Sequence, residues 1–414
     1  MIAEESKRAK VLLSCYACEP NQGSEPGVGW NWTRELSKEN DLVVVTRANN
    51  QGVIEKHLSE LSGRDIEFVY YDLPQWLLAL KKWGIINTSL YYAIWQRGIK
   101  RKMNVRMPEF DIVHHMTFNM FLCPGYWRPK HAKLILGPLG GGSCVSGGYL
   151  SLFGGKAWIQ CIRKKIVESW QWVPQLKKTF DRAHLILCAN EDTFNLLKPN
   201  YLNKCRLHLE TGFDQDKIRK ESSCSKDNSH FVQVGSIEPR KGWKLTLAAV
   251  KILMNEHGIG DIHVNFIGAG PEYQAAIDMA EQLGLSENIT FHGNKSLRET
   301  QEVLSQARAL LFPSVRDTSG NVVLEAMSQG VPVICLNHQG VKEMTDNECA
   351  IQIKPENISQ TVRDMSSAMK KLYNDEIMAR KMGDAGIRRI RKCYTWSAKQ
   401  EFMKNVYESV LDSK

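Results

Sequence analysis

The segment Asp317-Thr318-Ser319-Gly320-Asn321-Val322-Val323-Leu324-Glu325 places two acidic residues eight positions apart around a short glycine turn. A helical pattern follows through residues 324–329 and stops at Gly330, and the apolar run 331–335 comes next. This order predicts a strand, a glycine turn and a helix N-terminus, with one acid at each end of the turn. Backbone N–H groups at a helix start attract anions, and a nearby carboxylate can hold sugar hydroxyls. The segment is therefore suited to a phosphorylated sugar.

The composition is that of a soluble globular protein with an excess of basic residues. The chain has 414 residues, 43% of them hydrophobic, and 54 Lys and Arg against 45 Asp and Glu give a formal charge of +9. An anionic partner is consistent with this charge. Eleven cysteines are scattered, and the pair Cys15 and Cys18 has no second pair at zinc spacing, so we expect reduced thiols. The polar N-terminus and the lack of a long apolar run predict a cytoplasmic protein without a spanning helix.

Short apolar runs alternate with helical stretches along the whole chain, which predicts α/β domains with parallel sheets. The polar stretch 217–229 predicts a linker, and we expect two Rossmann-like domains. The first domain would comprise residues 1–210, completed by a C-terminal helix at 396–414, and the second would comprise 211–395. The predicted strands are 11–14, 42–46, 66–70, 112–115, 134–136 and 185–188, and then 231–234, 264–267, 289–291, 309–312 and 333–335.

The run Phe312-Pro313-Ser314, with Asp317, Gly320, the segment 323–327 and the segment 330–334, resembles the signature of retaining glycosyltransferases of family 4. That signature has two glutamates with seven residues between them, and Asp317 stands at the first position. The resemblance implies the GT-B fold, in which two Rossmann-like domains face a cleft and the C-terminal helix crosses back to the first domain. It further implies a metal-independent hexosyltransferase of bacterial surface-polysaccharide synthesis, with a UDP- or GDP-sugar donor, a glycan or lipid-linked acceptor and no cofactor.

Three loops of the second domain carry the candidate donor-binding residues. The loop 235–242 follows a strand, and its arginine and lysine can meet a diphosphate, although Ser236 stands where the family has an arginine. A second loop, 268–270, lacks the third glycine of a nicotinamide-binding turn. By resemblance, Glu325 holds the ribose and Asp317 holds the hydroxyls of the donor sugar. The donor-binding candidates are Arg240, Lys241, Gly268, Gly270, Ser319, Gly320, Asn321, Val322 and Glu325.

The first domain carries the candidates for the catalytic and acceptor sides. His114 and His115 end the fourth predicted strand, and in the family a histidine at this point faces the donor sugar. Alternation along a strand allows only one of them to point into a cleft, and His115 is favoured. With Asp317 and Glu325 these histidines form the catalytic set. The glycine-rich segment 23–30 resembles the family's first-domain glycine loop, which implies an acceptor-side position, and we expect 137–143 to line the same side. The acceptor-side candidates are Gly27, Val28, Gly29, Gly140 and Gly141. Asp214 and Asp216 form a D-x-D, but their context resembles an interdomain turn, so we expect no metal site.

Two stretches combine positive charge with tryptophan. Residues 73–108 contain no acidic residue, and Glu168 is the only acidic residue in 149–180. Tryptophan and basic residues on one face suit an anionic membrane surface, so we expect a peripheral location on the inner face of the plasma membrane. Nucleic-acid binding is not expected, because no recognition module accompanies the charge. Two other functions are compatible with the residues: a nucleotide-sugar epimerase of the same fold, and a non-catalytic basic membrane-binding protein on a degenerate transferase fold.

Overall fold

The computed structural model describes residues 8–118, 120–220 and 228–413, so part of the predicted linker lies outside the described residues. The chain divides into two compact units. The first consists of Met1–Gly142, Ile166–Gly212 and Trp396–Lys414, and the second of Ser143–Lys165 and Phe213–Thr395.

In the described ranges, the first unit is built on a parallel sheet of seven strands in the order β3-β2-β1-β4-β5-β6-β7. The strand order reverses between β1 and β4, which makes this pair the switch point of the sheet. The strands are Ala9–Cys15 (β1), Asn40–Arg47 (β2), Ile66–Tyr71 (β3), Ile112–Thr117 (β4), Lys133–Leu139 (β5), Leu185–Cys188 (β6) and Cys205–Leu207 (β7).

The second unit has its own parallel sheet, with six strands among the described residues in the order β10-β9-β8-β11-β12-β13. Here the order reverses between β8 and β11. The strands are His230–Val234 (β8), His263–Ile267 (β9), Ile289–Phe291 (β10), Ala309–Phe312 (β11), Val333–Leu336 (β12) and Ala350–Ile353 (β13). The two Rossmann-like sheets confirm the predicted fold class, while β7 and β13 were not predicted.

Helices connect most of the successive strands in both units. The helices are Ser24–Leu36 (α1), Gln51–Lys56 (α2), Gln75–Lys82 (α3), Thr88–Met103 (α4), Ala157–Glu168 (α5), Pro174–Arg182 (α6), Glu191–Tyr201 (α7), Trp243–His257 (α8), Tyr273–Gln282 (α9), Leu297–Gln306 (α10), Asn321–Ser328 (α11), Gln339–Met344 (α12), Ile358–Asn374 (α13), Glu376–Cys393 (α14) and Trp396–Asp412 (α15). In the part of the chain that the structure describes, no helix is both long enough and apolar enough to span a bilayer.

The segment Ser143–Lys165 departs from the predicted domain boundaries, because it packs with the second unit. Tyr149 and Leu152 from this segment are buried in the apolar core of that unit. The Tyr149 hydroxyl also forms a 2.7 Å hydrogen bond with Thr361 Oγ1 on α13. Short-range patterning could not reveal this, because the core residues are far along the chain and Thr361 is 212 residues away from Tyr149.

The C-terminal helix α15 belongs to the first unit, as its predicted position required. Trp396, Met403 and Tyr407 are buried in the core that also contains α1 and the centre of the first sheet. The Lys399 ammonium is buried as well and donates a 2.8 Å hydrogen bond to the Leu209 carbonyl. This bond satisfies a charge that would otherwise be costly to bury.

Candidate functional site

The loops that follow β8 and β11 are joined at the switch point of the second sheet, where open α/β sheets bind their ligands. Gly242 ends the β8 loop with φ of 71°, and a Cβ there would lie 2.2 Å from the Pro313 carbonyl oxygen. The Val315 N–H donates a 2.8 Å hydrogen bond to the Arg240 carbonyl. Only glycine allows the two loops to approach this closely, and the approach brings their charged side chains together.

An ion pair between these loops unites two residues that the sequence predicted for different roles. Lys241 Nζ lies 2.5 Å from Asp317 Oδ2, and both side chains are largely shielded, with 17% and 20% of their surface exposed. Arg240 lies beside them, with its guanidinium 3.9 Å from Asp317 Oδ1 and 2.7 Å from Glu238 Oε1. The carboxylates hold both cations in place at the end of the sheet.

Arg316 adds a third cation that the sequence analysis did not single out. Its guanidinium donates a 2.7 Å hydrogen bond to Gln160 Oε1 on α5. Burial, followed by the like charges of Arg163 and Arg240, lowers the pKa of Arg316 to about 10. Arg316 therefore stays protonated at neutral pH, in a place where further positive charge is unfavourable and an anion would be stabilised.

The loop that follows β9 packs directly on the loop that follows β8. Gly268 has φ of 128°, and a Cβ there would lie 2.2 Å from the Gly235 carbonyl oxygen. A Cβ on Gly270 would lie 2.5 Å from the Ile237 carbonyl oxygen. Two backbone bonds join the loops, from the Gly235 N–H to Ile267 at 2.9 Å and from the Ile237 N–H to Ala269 at 3.1 Å. These glycines therefore serve close packing between loops, which is compatible with a border for a bound nucleotide.

Helix α12 supports the backbone of Asp317 from behind. The Asp317 N–H donates a 2.6 Å hydrogen bond to Gln339 Oε1, and Gln339 itself adopts φ of 54°. A Cβ on Gly340 would lie only 1.9 Å from the Thr318 carbonyl oxygen. A strained non-glycine residue at a helix start persists when its surroundings hold it firmly, and such residues are frequent at functional sites.

The second acid, Glu325, lies within helix α11, and Gly320 stands at the cap position of that helix with no side chain to satisfy the first N–H groups. Ser319, Asn321 and Val322 surround this helix start. Burial raises the pKa of the Glu325 carboxyl. Among the described residues, no side chain or backbone group is hydrogen-bonded to this carboxylate. A shielded acceptor of this kind suits the hydroxyl donors of a sugar or ribose.

The two candidate histidines of the first unit are fully buried on opposite sides of β4. His114 Nε2 lies 2.8 Å from the Gly137 carbonyl oxygen, so this nitrogen carries the proton, and Nδ1 accepts from the Tyr407 hydroxyl at 2.8 Å. Burial lowers the pKa of His114 to about 4. The ring thus links the sheet to α15, which is a structural role.

His115 is equally enclosed. Its Nε2 lies 2.9 Å from the Tyr92 hydroxyl and its Nδ1 lies 3.1 Å from Ser14 Oγ. Burial, followed by the charge of His114, lowers the pKa of His115 to about 3. With both nitrogens occupied and no exposed surface, neither histidine has a face for a sugar. Their catalytic role stays a prediction, and this burial weighs against it.

The glycine-rich segment near the N-terminus is not a loop, which corrects the predicted turn. Helix α1 begins at Ser24 and therefore includes Gly27, Val28 and Gly29. A Cβ on Gly27 would lie 2.0 Å from the Gln22 carbonyl oxygen, and one on Gly29 would lie 2.1 Å from the Ala17 carbonyl oxygen. Both glycines allow the chain that follows β1 to fold tightly onto its own helix.

The second predicted acceptor-side segment, 137–143, is only partly a loop, because β5 continues to Leu139 and the irregular connection begins after it. The Gly140 carbonyl accepts a 2.8 Å hydrogen bond from the Phe121 N–H, and Gly141 has φ of 84°. The D-x-D motif lies at a short turn of the second unit, where Asp214 Oδ2 pairs with Lys217 Nζ at 2.8 Å.

The structure thus brings the donor candidates together at one end of the second sheet, and it holds the histidines and the acceptor-side glycines in the first unit. Arg316, Gln160 and Gln339 are the site residues that sequence reasoning missed. Arg316 was adjacent to a recognised acid and could have been found by its charge. Gln160 and Gln339 had no such signal, because their contacts are made only in three dimensions.

Part of the chain is similar in sequence to known glycosyltransferases. Residues 214–389 match the family model described as Glycosyl transferases group 1. A protein of Escherichia coli K12 named as a colanic acid biosynthesis glycosyltransferase, WcaL, is 26% identical over 153 residues, which cover 36% of this chain and 37% of that protein. A protein of Bacillus subtilis 168 named as a glycosyltransferase, EpsD, is 24% identical over 212 residues, covering 51% and 53% of the two chains. The alignments span about half or less of these relatives.

Solved structures extend the likeness in fold to nearly the whole chain. Sucrose-phosphate synthase from Thermosynechococcus elongatus has a TM-score of 0.66 at 15% identity, over 98% of this chain and 100% of that one. HepE from Anabaena, solved in complex with UDP-glucose, has a TM-score of 0.61 at 11% identity, over 97% and 100%. Residues 214–389 thus match the Glycosyl transferases group 1 model, and the chain that carries them has the two-sheet GT-B fold.

Proposed function

We propose that this chain is a retaining glycosyltransferase that moves a hexose from a UDP- or GDP-sugar to a glycan or lipid-linked acceptor in cell-surface polysaccharide synthesis. The observation that carries the proposal is the group of Arg240, Lys241 and Arg316 at the switch point of the second sheet. These three cations face two carboxylates, Glu238 and Asp317, and the charge of Arg163 also acts on Arg316. The group therefore has positive charge in excess, as a diphosphate requires.

The proposed chemistry is electrostatic. The leaving nucleotide diphosphate gains negative charge as the glycosidic bond breaks, and cations already fixed in place stabilise that charge without reorganisation. Lys241 and Arg240 are the donors for its oxygens, and the N-terminus of α11 adds backbone N–H groups. Asp317, which holds Lys241 in this structure, would exchange part of that contact for the sugar hydroxyls. Glu325 would accept from the ribose. The proposed reaction requires no metal ion.

The donor class also has support from the comparisons. The HepE structure contains UDP-glucose and shares the fold, and WcaL and EpsD are named as glycosyltransferases, the first of colanic acid biosynthesis. The proposal for this chain follows the shared fold together with its own cations.

A membrane-surface location is part of the proposal. In the first unit, the tryptophans at positions 76, 83 and 172 are 62%, 73% and 86% exposed. Helix α3, which contains Trp76, has no buried residue among those described and ends with Lys81 and Lys82. Exposed tryptophans beside basic residues suit the interface of an anionic bilayer. We place the first unit on the inner face of the plasma membrane, where a lipid-linked acceptor would be met.

A ligand screen tests the proposal most directly. Thermal-shift measurements against nucleotide diphosphates and their sugars should single out one base, because selective binding to the native state raises its apparent stability. The Asp317→Asn variant should bind the nucleotide diphosphate at least as well as the wild type but transfer little sugar. If no nucleotide diphosphate stabilises the protein, the transferase proposal is wrong.

A transfer assay then tests the finer parts of the proposal. Turnover should require an acceptor and should persist in EDTA, and NMR of the product should show the donor's anomeric configuration. Conversion of a nucleotide sugar without an acceptor would instead favour an epimerase.

A further inference from the structure

A basic pocket lies on the first unit between α4, the segment around Tyr126 and the start of α6. Its volume is about 420 Å³, within the range of small-molecule sites, which is about 300–1,000 Å³. We call it the arginine pocket. Its lining residues are Arg97, Lys100, Arg101, Asn104, Tyr126, Arg128 and Gln175. Four of these side chains are cations, and none is an acid.

The helix dipole explains only part of this charge. Lys100 and Arg101 lie in the last turn of α4, where cations interact favourably with the helix C-terminus. Arg97 lies about one turn earlier, and Arg128 comes from a different segment of the chain. Within the described ranges, none of the four cations forms an ion pair with a carboxylate. Concentrated positive charge without a counter-ion is unfavourable, and an anion would relieve it.

The environment of Lys100 shows how strongly these charges are felt. Burial lowers the pKa of Lys100, and the next contributions are the positive charges of Arg128, Arg182 and Arg101. The charges that lower this pKa are therefore all of the same sign as the ammonium.

Two contacts hold the pocket ready for a ligand. The Arg97 guanidinium lies 4.5 Å from the centre of the Tyr126 ring, and Arg128 donates a 3.0 Å hydrogen bond to Gln175 Oε1. The same bond fixes the orientation of the Gln175 amide, so its Nε2 group is a donor. In the described part of the chain, this buried Nε2 has no hydrogen-bond partner. A buried donor without an acceptor is costly, and a ligand oxygen would satisfy it.

We infer that the arginine pocket binds a phosphate or diphosphate group, separately from the nucleotide group held by the second unit. Guanidinium groups match phosphate oxygens with paired donors, and the Gln175 amide supplies a further donor. The pocket is larger than a phosphate and admits part of an attached molecule. The inference rests on the proposed function only in one respect, that the acceptor is the reactant expected to carry this group, either as a soluble sugar phosphate or as a lipid-linked diphosphate.

Calorimetric titration with inorganic pyrophosphate, with UDP present to occupy the nucleotide site, tests the inference. The double variant Arg97→Gln/Arg128→Gln should weaken pyrophosphate binding at least tenfold. The control Lys177→Gln/Lys178→Gln removes the same charge from the exposed side of α6 and should change it less than threefold. Gln175→Glu should also abolish binding, yet its carboxylate pairs with Arg128, so its melting temperature should not fall. Loss of binding would then not be a sign of misfolding.

Vesicles distinguish the two sources of the group. Neutral phosphatidylcholine vesicles that contain a polyprenyl diphosphate should retain the wild type and release Arg97→Gln/Arg128→Gln if the group is lipid-linked. If pyrophosphate binds through these arginines but the vesicles do not retain the wild type, the group belongs to a soluble molecule. Equal weakening by the Lys177/Lys178 control, or no pyrophosphate binding at physiological salt, overturns the inference.

The UDP titration keeps the two proposals apart. If the arginine-dependent pyrophosphate site is present while neither UDP nor GDP binds, the pocket stands and the proposed function fails. If UDP binds and Arg97→Gln/Arg128→Gln leaves pyrophosphate binding unchanged, the pocket fails alone.

Discussion

Replacing Lys241 with methionine should weaken the binding of the nucleotide diphosphate by one to two orders of magnitude. The Lys241 side chain is only 17% exposed and is fixed by Asp317, so its bond to a phosphate is partly shielded from water. A hydrogen bond to a charged group contributes about 1.5–3 kcal/mol, and each 1.4 kcal/mol is about tenfold in Kd. The variant also leaves the Asp317 carboxylate facing the diphosphate, which adds like-charge repulsion to the loss.

This second effect gives the prediction its sharper form. The double variant Lys241→Met/Asp317→Asn removes the repulsion, so it should bind more tightly than Lys241→Met alone, with a Kd nearer to tenfold above the wild type. Isothermal titration with UDP and GDP measures each constant. Lys251→Met, on helix α8 just after the β8 loop, is the matched control and should change Kd less than threefold. An unchanged Kd in Lys241→Met, or a double variant no better than the single one, would refute the reasoning.

Three further predictions concern individual residues. Glu325→Gln should remove most transfer activity while melting within a few degrees of the wild type, because its carboxylate has no partner in the described residues; normal turnover would exclude it from the site. Gly258→Ala should lower the free energy of unfolding by about 1–2 kcal/mol, because its backbone is left-handed. Gly242→Ala has a similar φ but should lower the free energy of unfolding further and also weaken UDP binding, because its Cβ would meet Pro313. Equal losses of stability in urea unfolding would contradict this. Burial raises the pKa of Glu25 to about 7, so the stability that this group contributes is present below pH 4.5 and is lost as pH rises to 7. The free energy of unfolding of Glu25→Gln should therefore match that of the wild type at pH 4.5 and exceed it at pH 7.5 by on the order of 2–3 kcal/mol. Parallel pH curves of urea unfolding for the two proteins would disprove this.

That the candidate donor residues would lie close together was largely predictable from the sequence, because they lie in short segments. Asp317, Gly320 and Glu325 form one continuous motif, and Lys241 follows a recognisable strand. Their spacing places them at the carboxyl ends of parallel strands, and the alternation of strands and helices brings those ends together. The structure then supplied the partner of Lys241, which is Asp317 itself.

The histidines and the first glycine segment show where local patterns were insufficient. A strand end predicts which side chains leave the sheet, but it does not predict what covers them, and Tyr407 and Tyr92 cover His114 and His115. The glycines at positions 27 and 29 suggested a turn, because glycine is frequent in turns. Their actual role depends on a carbonyl that folds back against the helix.

The sequence by itself determined the α/β class, the two sheets and the acid motif at Asp317, because each depends on the periodicity or spacing of neighbouring residues. Only the tertiary structure decided that Ser143–Lys165 packs with the second unit and that Arg316, beside the candidate donor residues, is hydrogen-bonded to Gln160. It also decided that Arg97 and Arg128 share one pocket. The physical reason is that burial and charge proximity are set by contacts between residues far apart in the chain, and these contacts leave no periodic trace in the sequence.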